Sequence, residues 1–216
     1  MCIRDRCTVE QRLTTALDIQ KAPREAVSKA YNVFQKARIQ RSGTGFIGAP
    51  ILTPDELDRS KGEISWNDLE TMLSGFAYDT YYNHSETSRK NYFTVWDFAI
   101  DQGFSFGSGM GTNHHYGYQV RKIYTTAWLM RDAIWKAPNR DNILSTLIFW
   151  SALQETRQPY QYGRDELLDS WHTLLMAKTV SALLFTDERE RVRALKGLSR
   201  WVSSSLQYLS LIHISE

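Results

Sequence analysis

Cysteine is nearly missing from this chain. Its 2 cysteines, Cys2 and Cys7, sit together at the N-terminus. Such a pair defines neither a disulfide framework nor a zinc site. Net charge is nearly missing too, at +2 over 216 residues. Nucleic-acid binding driven by bulk charge needs a basic stripe, so the composition speaks against that partner. A few local Arg and Lys could still meet an acidic sugar polymer. No run of about 18 apolar residues exists, the length that reads as a membrane span, and no secretory leader is visible. HExxH and CxxC motifs and strict internal repeats are absent as well.

What the chain does have is helical pattern and 42% hydrophobic residues, enough for a substantial core. Thr8 and Gln11 suit the start of a helix over residues 9–19. Pro23 suits the first turn of the next, expected to run to about Gln40 with Ala26, Val27, Ala30, Val33 and Phe34 on one side. Residues 41–52 read as a connection containing Gly and Pro. Thr53-Pro54-Asp55-Glu56 carries a capping box that opens a short helix. Ser65 opens another, with Asp68 and Glu70 near its positive end and Trp66, Leu69, Leu73, Phe76 and Ala77 at helical spacing. Asn83-His84 break it. Ser85 caps the following helix, which turns Tyr92, Val95, Trp96, Ala99 and Ile100 inward and ends at Gly103.

Val120, Ile123, Tyr124, Ala127, Trp128 and Ile134 mark a long helix closed by Pro138. The segment Asp141–Glu155 is nearly apolar all round in its middle, as in a helix buried between two layers. A helix over Asp165–Phe185 follows. Thr186 then caps a last helix that uses Val192, Leu195, Leu198, Val202 and Leu206. No stretch reads as a convincing strand. About eight helices with short connections favour antiparallel neighbours. Such helix pairs stack as a solenoid or as an (α/α) toroid. The expected class is all-α.

One stretch interrupts this pattern. Asp101–Arg121 holds five of the 12 glycines, four aromatic rings and the pair His114-His115. Glycine at this density opposes helix and lets a backbone or ligand approach closely. Gly107-x-Gly109-x-Gly111 follows no strand and lacks the Lys-Ser/Thr of a phosphate loop, so it reads as a tight turn. Adjacent histidines on a loop can bind metal, exchange protons or hold an anion. No acidic cluster stands beside them to complete a metal site. Asn113, His114, Tyr118 and Arg121 fall together at a helix start, where the helix adds partial positive charge. Amide, imidazole and guanidinium all suit a carboxylate. Neutralising a carboxylate is what makes the proton on the neighbouring carbon removable.

Other candidates carry less. His84 and His172 are lone histidines that read as structural or surface residues. Tyr160 and Tyr162 suit packing or a sugar face. Arg189–Arg193 is a charge run on an exposed helix face. Asp97 and Asp101, one turn apart, read as solvated or capping rather than as an acid/base pair.

Several motifs together resemble a known family. They are Asp101-Gln-Gly-Phe, Gly107-Ser, His114-His115-Tyr116-Gly117-Tyr118-x-x-Arg121 and Leu129-Met130-x-Asp132-Ala133. The later Tyr162-Gly-Arg-Asp-Glu-Leu-Leu-Asp-Ser-Trp-His-Thr-Leu-Leu175 and Gly197-Leu-Ser-Arg-Trp201 join them. They are similar to the broad-specificity chondroitin sulfate ABC lyases of polysaccharide lyase family 8, over most of the chain from about Gln40 to Tyr208. The resemblance implies an incomplete (α/α) toroid built from antiparallel helix hairpins, part of a multidomain lyase. The implied reaction is β-elimination at a uronic acid of chondroitin or dermatan sulfate, leaving an unsaturated uronate.

It also implies roles. Asn113, His114 and His115 fall where the family contacts the uronate carboxylate, with Tyr116, Tyr118 and Arg121 as substrate-binding residues. Lyases restricted to one uronate epimer carry Asn-Trp-Trp there, so Asn113-His114-His115 favours the broad-specificity branch. Which histidine faces the cleft stays open. The family's base and acid, a His and a Tyr, are expected beyond this chain, which by itself is expected to be inactive. No cofactor or metal is expected in the chain, although a divalent cation such as calcium can accompany the parent enzyme. The implied partner is an acidic polysaccharide, with no nucleic acid and no membrane. A monomer in the bacterial periplasm or outside the cell is implied as well.

Met1–Arg6 and Leu209–Glu216 resemble translated sequencing-adapter sequence, so the partial toroid is expected over residues 7–208. Two rival readings remain. One is a non-catalytic carbohydrate-binding or helical scaffold protein. The other is a toroid glycosidase, which needs two carboxylates across a cleft; none stands out.

Overall fold

The computed structural model describes residues 24–48, 51–52, 64–102, 114–155, 179–180, 182–184 and 187–214. The helices expected over 9–19 and from Thr53, and most of the one expected over 165–185, lie outside them. So do the glycine run 107–111, Tyr160, Tyr162 and His172. The chain divides into two compact units, Met1–Gln102 with Thr126–Lys136, and Gly103–Thr125 with Ala137–Glu216.

Three of the helices described in the first unit form a consecutive set. Helix α1 (Arg24–Ala37) has Glu25 in its first turn and Lys36 in its last, each complementing the helix dipole. It packs on α2 (Trp66–Asn83), which also packs on α3 (Glu86–Asp101). Small residues let α1 and α2 meet closely. A Cβ added at Gly75 of α2 would fall 2.4 Å from the Ala30 Cβ and 2.6 Å from the Ala26 carbonyl oxygen. Beside this contact Phe76 receives the rings of Tyr31 and Phe34 edge-on, at 5.1 Å and 5.4 Å between centroids, the arrangement aromatic quadrupoles favour. Leu69, Met72, Leu73, Phe76 and Ala77 are fully buried, and Glu70 and Ser74 are buried with them. Burial nearly all round marks α2 as the middle helix of its unit.

Both expected caps are present. The Ser65 hydroxyl accepts from the Asp68 amide at 3.2 Å, and Asp68 accepts from the Ser65 amide at 2.8 Å. This reciprocal box satisfies two donors that the first turn would otherwise leave open. His84 ends α2 in the left-handed region at φ 54. Ser85 then caps α3 by accepting from the Ser88 amide at 3.2 Å.

A polar knot ties the three helices together. Tyr31 donates to Ser88 at 2.8 Å, and Ser88 donates to Asp79 at 2.5 Å. Asn83 donates to the other Asp79 oxygen at 2.8 Å. Burial by itself would raise the Asp79 carboxyl, but hydrogen bonds from Ser88, Asn83 and Ser85 outweigh it and hold the group below its ordinary 3.8. A depressed folded pKa stabilises above the unfolded value and loses that contribution as pH falls through the folded one. Acid titration of the fold should therefore show stability declining below about pH 4. Ser88→Ala should cost about 1–3 kcal/mol at neutral pH and flatten that acid limb, both readable by urea denaturation across pH.

The interior of α3 is as expected at Tyr92, Val95, Trp96 and Ala99, all fully buried, with Phe98 added. Burial pushes the Tyr92 phenol well above its ordinary pKa.

Strands are present, contrary to the sequence reading. Helix α1 stops at Ala37 rather than near Gln40, because Arg38 turns left-handed at φ 51. Its amide meets the carbonyls of Phe34 and Gln35 at 3.2 Å and 3.3 Å. The chain then forms a hairpin of β1 (Gln40–Ser42) and β2 (Gly45–Ile47), with Arg41 opposite Phe46. Gly43, at φ 61, supplies the positive dihedral that such a tight turn requires. Further on, β3 (Ile51–Leu52) pairs in parallel with β4 (Ile64–Ser65), which leads directly into α2. These strands are two or three residues long, and the class is all-α.

The long helix expected to close at Pro138 is divided. Helix α4 spans His114–Leu129 and α5 spans Arg131–Lys136. At the break the Arg131 guanidinium donates to the Trp128 carbonyl at 3.0 Å and lies 4.6 Å from the Trp128 ring centroid. This caps a carbonyl near the end of α4.

In the second unit α6 spans Arg140–Glu155 and α7 spans Glu188–Ile214. Ile143 and Leu147 of α6 are fully buried. Asp187, not the expected Thr186, caps α7 by accepting from the Glu190 amide at 3.0 Å. Leu195, Leu198 and Val202 are half-buried. Val192, expected on the same apolar face, is 40% exposed.

Candidate functional site

Helix α4 begins at His114, where the residue pattern placed a helix start. Asn113 lies outside the described residues, as do the side chains of His114, His115, Tyr116, Tyr118 and Arg121. The backbone nevertheless sorts these positions. A helix turns about 100° per residue. Positions 114, 118 and 121 therefore form one stripe. Position 115 stands about a quarter-turn from that stripe. Position 116 lies two turns before Ile123, in line with it. Ile123 is fully buried and marks the packed side of the described part of the helix.

The packed side is anchored within the same unit. The Tyr124 hydroxyl donates to the Leu147 carbonyl of α6 at 2.6 Å, and Tyr124 is almost wholly buried. This bond restrains the rotation of α4 about its own axis. Tyr124→Phe should lower stability by about 1 kcal/mol, measured by thermal denaturation.

The start of a helix favours anions through two effects. The first amides of a helix have no intrahelical acceptor, and their aligned dipoles place partial positive charge there. A carboxylate is stabilised at such an end, more so with an amide and an imidazole beside it.

Of the carboxylates Asp97 and Asp101, the second has a structural contact. Asp101 is exposed and accepts the Phe46 amide of β2 at 3.1 Å. It therefore holds the hairpin. His84 is exposed and serves as the left-handed residue that ends α2. Arg189–Arg193 lies on α7, where Arg191 pairs with Glu188 and Arg193 with Glu190, at 3.6 Å and 3.9 Å. Among the described residues no helix is long and apolar enough to cross a membrane.

A helical hairpin domain with a histidine pair opening one helix is the class that fold and site define. The chain belongs to the lyase catalytic-domain family: the model of that family, described as "Lyase, catalytic", matches residues 2–213. Two curated relatives extend the likeness. The chain is 32% identical to the chondroitin sulfate ABC exolyase of Bacteroides thetaiotaomicron, over 56% of this chain and 12% of that protein. It is 27% identical to the chondroitin sulfate ABC endolyase of Proteus vulgaris, over 55% of this chain and 12% of that protein. The chain thus spans a small part of the length of the relatives it matches.

Proposed function

We infer that this chain is part of the helical toroid of a bacterial polysaccharide lyase acting on chondroitin or dermatan sulfate. The family match along the chain carries the reading, and the names of both relatives support the substrate. In the elimination a base takes the proton α to the uronate carboxyl group. The carbon–oxygen bond to the next sugar breaks, a carbon–carbon double bond forms, and the leaving oxygen takes up a proton. The base and the acid come from elsewhere in the protein.

The role assigned to this segment is to neutralise the uronate. Removing a proton α to a carboxylate spreads further negative charge onto the carboxyl oxygens. Donors aimed there are worth more in the transition state than in the ground state. Asn113 and His114, at the positive end of α4, supply those donors. The register supports His114 over His115, because position 114 shares its stripe with Tyr118 and Arg121. Tyr116, Tyr118 and Arg121 then bind the substrate along the helix. A polymer substrate too large to enter a cell places the enzyme in the periplasm or outside.

Product chemistry tests the reaction. The longer protein carrying this segment should release oligosaccharides lighter by one water than hydrolysis products, with an ultraviolet-absorbing double bond. Saturated products of hydrolytic mass would refute β-elimination.

A further inference from the structure

We propose that the β1–β2 hairpin is a second contact for the acidic polymer, with Arg41 as its anion-binding residue. This rests on the reading that the substrate is an acidic polysaccharide. Residues 35–48 carry Lys36, Arg38 and Arg41 and no acid, and all three cations are exposed. Among the described residues none of the three is in an ion pair. Elsewhere exposed cations do find acids, as Lys29 finds Glu25 and Arg89 finds Glu86.

Arg41 is also held in place. It stands opposite Phe46 in the ladder, with its guanidinium 5.6 Å from the ring centroid. A ring face restrains a guanidinium without neutralising it, leaving its planar N–H edge for a sulfate or carboxylate. The hairpin is in turn anchored. Asp101 accepts the Phe46 amide, and a Cβ at Gly45 would lie 3.3 Å from the Asp101 carboxylate. A Cβ at Gly48 would meet the Phe98 ring at 3.0 Å and the Ala37 carbonyl at 3.1 Å. A short polar hairpin fixed at the ends of α1 and α3 therefore presents an oriented cation with no ion pair among the described residues. Asp101 is its positioning residue. Three cations are too few for a nucleic-acid footprint, but they suit a polymer with anionic groups on successive sugars.

Titration calorimetry on this chain with chondroitin sulfate oligosaccharides tests the proposal. Arg41→Gln should weaken binding about fivefold to tenfold at low salt, with unchanged thermal stability. Arg89→Gln removes the same charge from α3 and should bind as wild type. Asp101→Ala gives the sharpest contrast. Bulk electrostatics expects tighter binding when an acid is removed, whereas a positioning role expects weaker binding. Running an unsulfated uronate polymer in parallel names the anion: loss on both polymers means carboxylate, and loss on the sulfated one alone means sulfate. The proposal is overturned if wild type does not bind, if Arg41→Gln and Arg89→Gln lose equally, or if Asp101→Ala tightens binding. Binding needs no turnover, so the two readings fail separately. An active lyase indifferent to Arg41 refutes the hairpin alone. Arg41-dependent binding without unsaturated product refutes the reaction alone.

Discussion

Gly75→Val is expected to destabilise the first unit more than any other single substitution raised here. Two effects compete at this position. A side chain removes the propensity penalty of a helical glycine, a gain of about 1 kcal/mol for alanine. Against that, a Cβ at Gly75 would sit 2.4 Å from the Ala30 Cβ and 2.6 Å from the Ala26 carbonyl oxygen. One obstacle is backbone, which cannot rotate aside, so α1 and α2 must separate. Overpacking of this kind costs about 1–3 kcal/mol and sometimes more. Separation would also loosen the Tyr31–Phe76 and Phe34–Phe76 contacts across the same interface and the Tyr31–Ser88 bond from α1 to α3. Sterics should win over propensity. Gly75→Ala should be destabilising, and Gly75→Val should cost about 3 kcal/mol or more. Urea denaturation reads both directly. A Gly75→Ala form more stable than wild type would show that the two helices do not meet this closely.

The second large effect is on turnover. In the longer lyase, His114→Ala should lower kcat by about a hundredfold to a thousandfold, the scale for losing one donor to a developing anion. His115→Ala should lose less, because position 115 lies off the stripe shared by 114, 118 and 121. If the histidine also serves the second uronate epimer, the loss should be larger on dermatan sulfate than on chondroitin sulfate. Steady-state rates on the two polymers measure all of this. A larger loss for His115→Ala would reverse the assignment between the two histidines.

The helices of this protein were largely legible in its residues, for local reasons. Ser65 and Ser85 cap because a short side-chain oxygen can accept a first-turn amide, and no tertiary context is needed. The apolar spacing of Leu69, Leu73, Phe76 and Ala77 likewise reads directly as a buried face. Other features depend on contacts between distant residues. The hairpin was missed because Gln40-Arg41-Ser42 is polar and too short for alternation. It is fixed by the Asp101 carboxylate, which lies more than fifty residues away. The left-handed turn at Arg38 carries no glycine to announce it. The division at Met130 was hidden because apolar spacing continues across it. Val192 stands more exposed than its spacing implied. Of the candidate site, the helix start at His114 was legible from the shift from glycine-rich to apolar-periodic sequence. The order of His114 and His115 was not legible, because adjacent identical residues carry no spacing that ranks one over the other.

The start of α4 is proposed to serve an elimination at uronate. The most direct measurement is the ultraviolet absorbance time course of chondroitin sulfate with the longer protein, as wild type and as the His114→Ala/His115→Ala double variant. The account predicts steady growth of unsaturated uronate with wild type and near-complete loss with the double variant, while both forms melt at the same temperature. Equal growth in the two would contradict it.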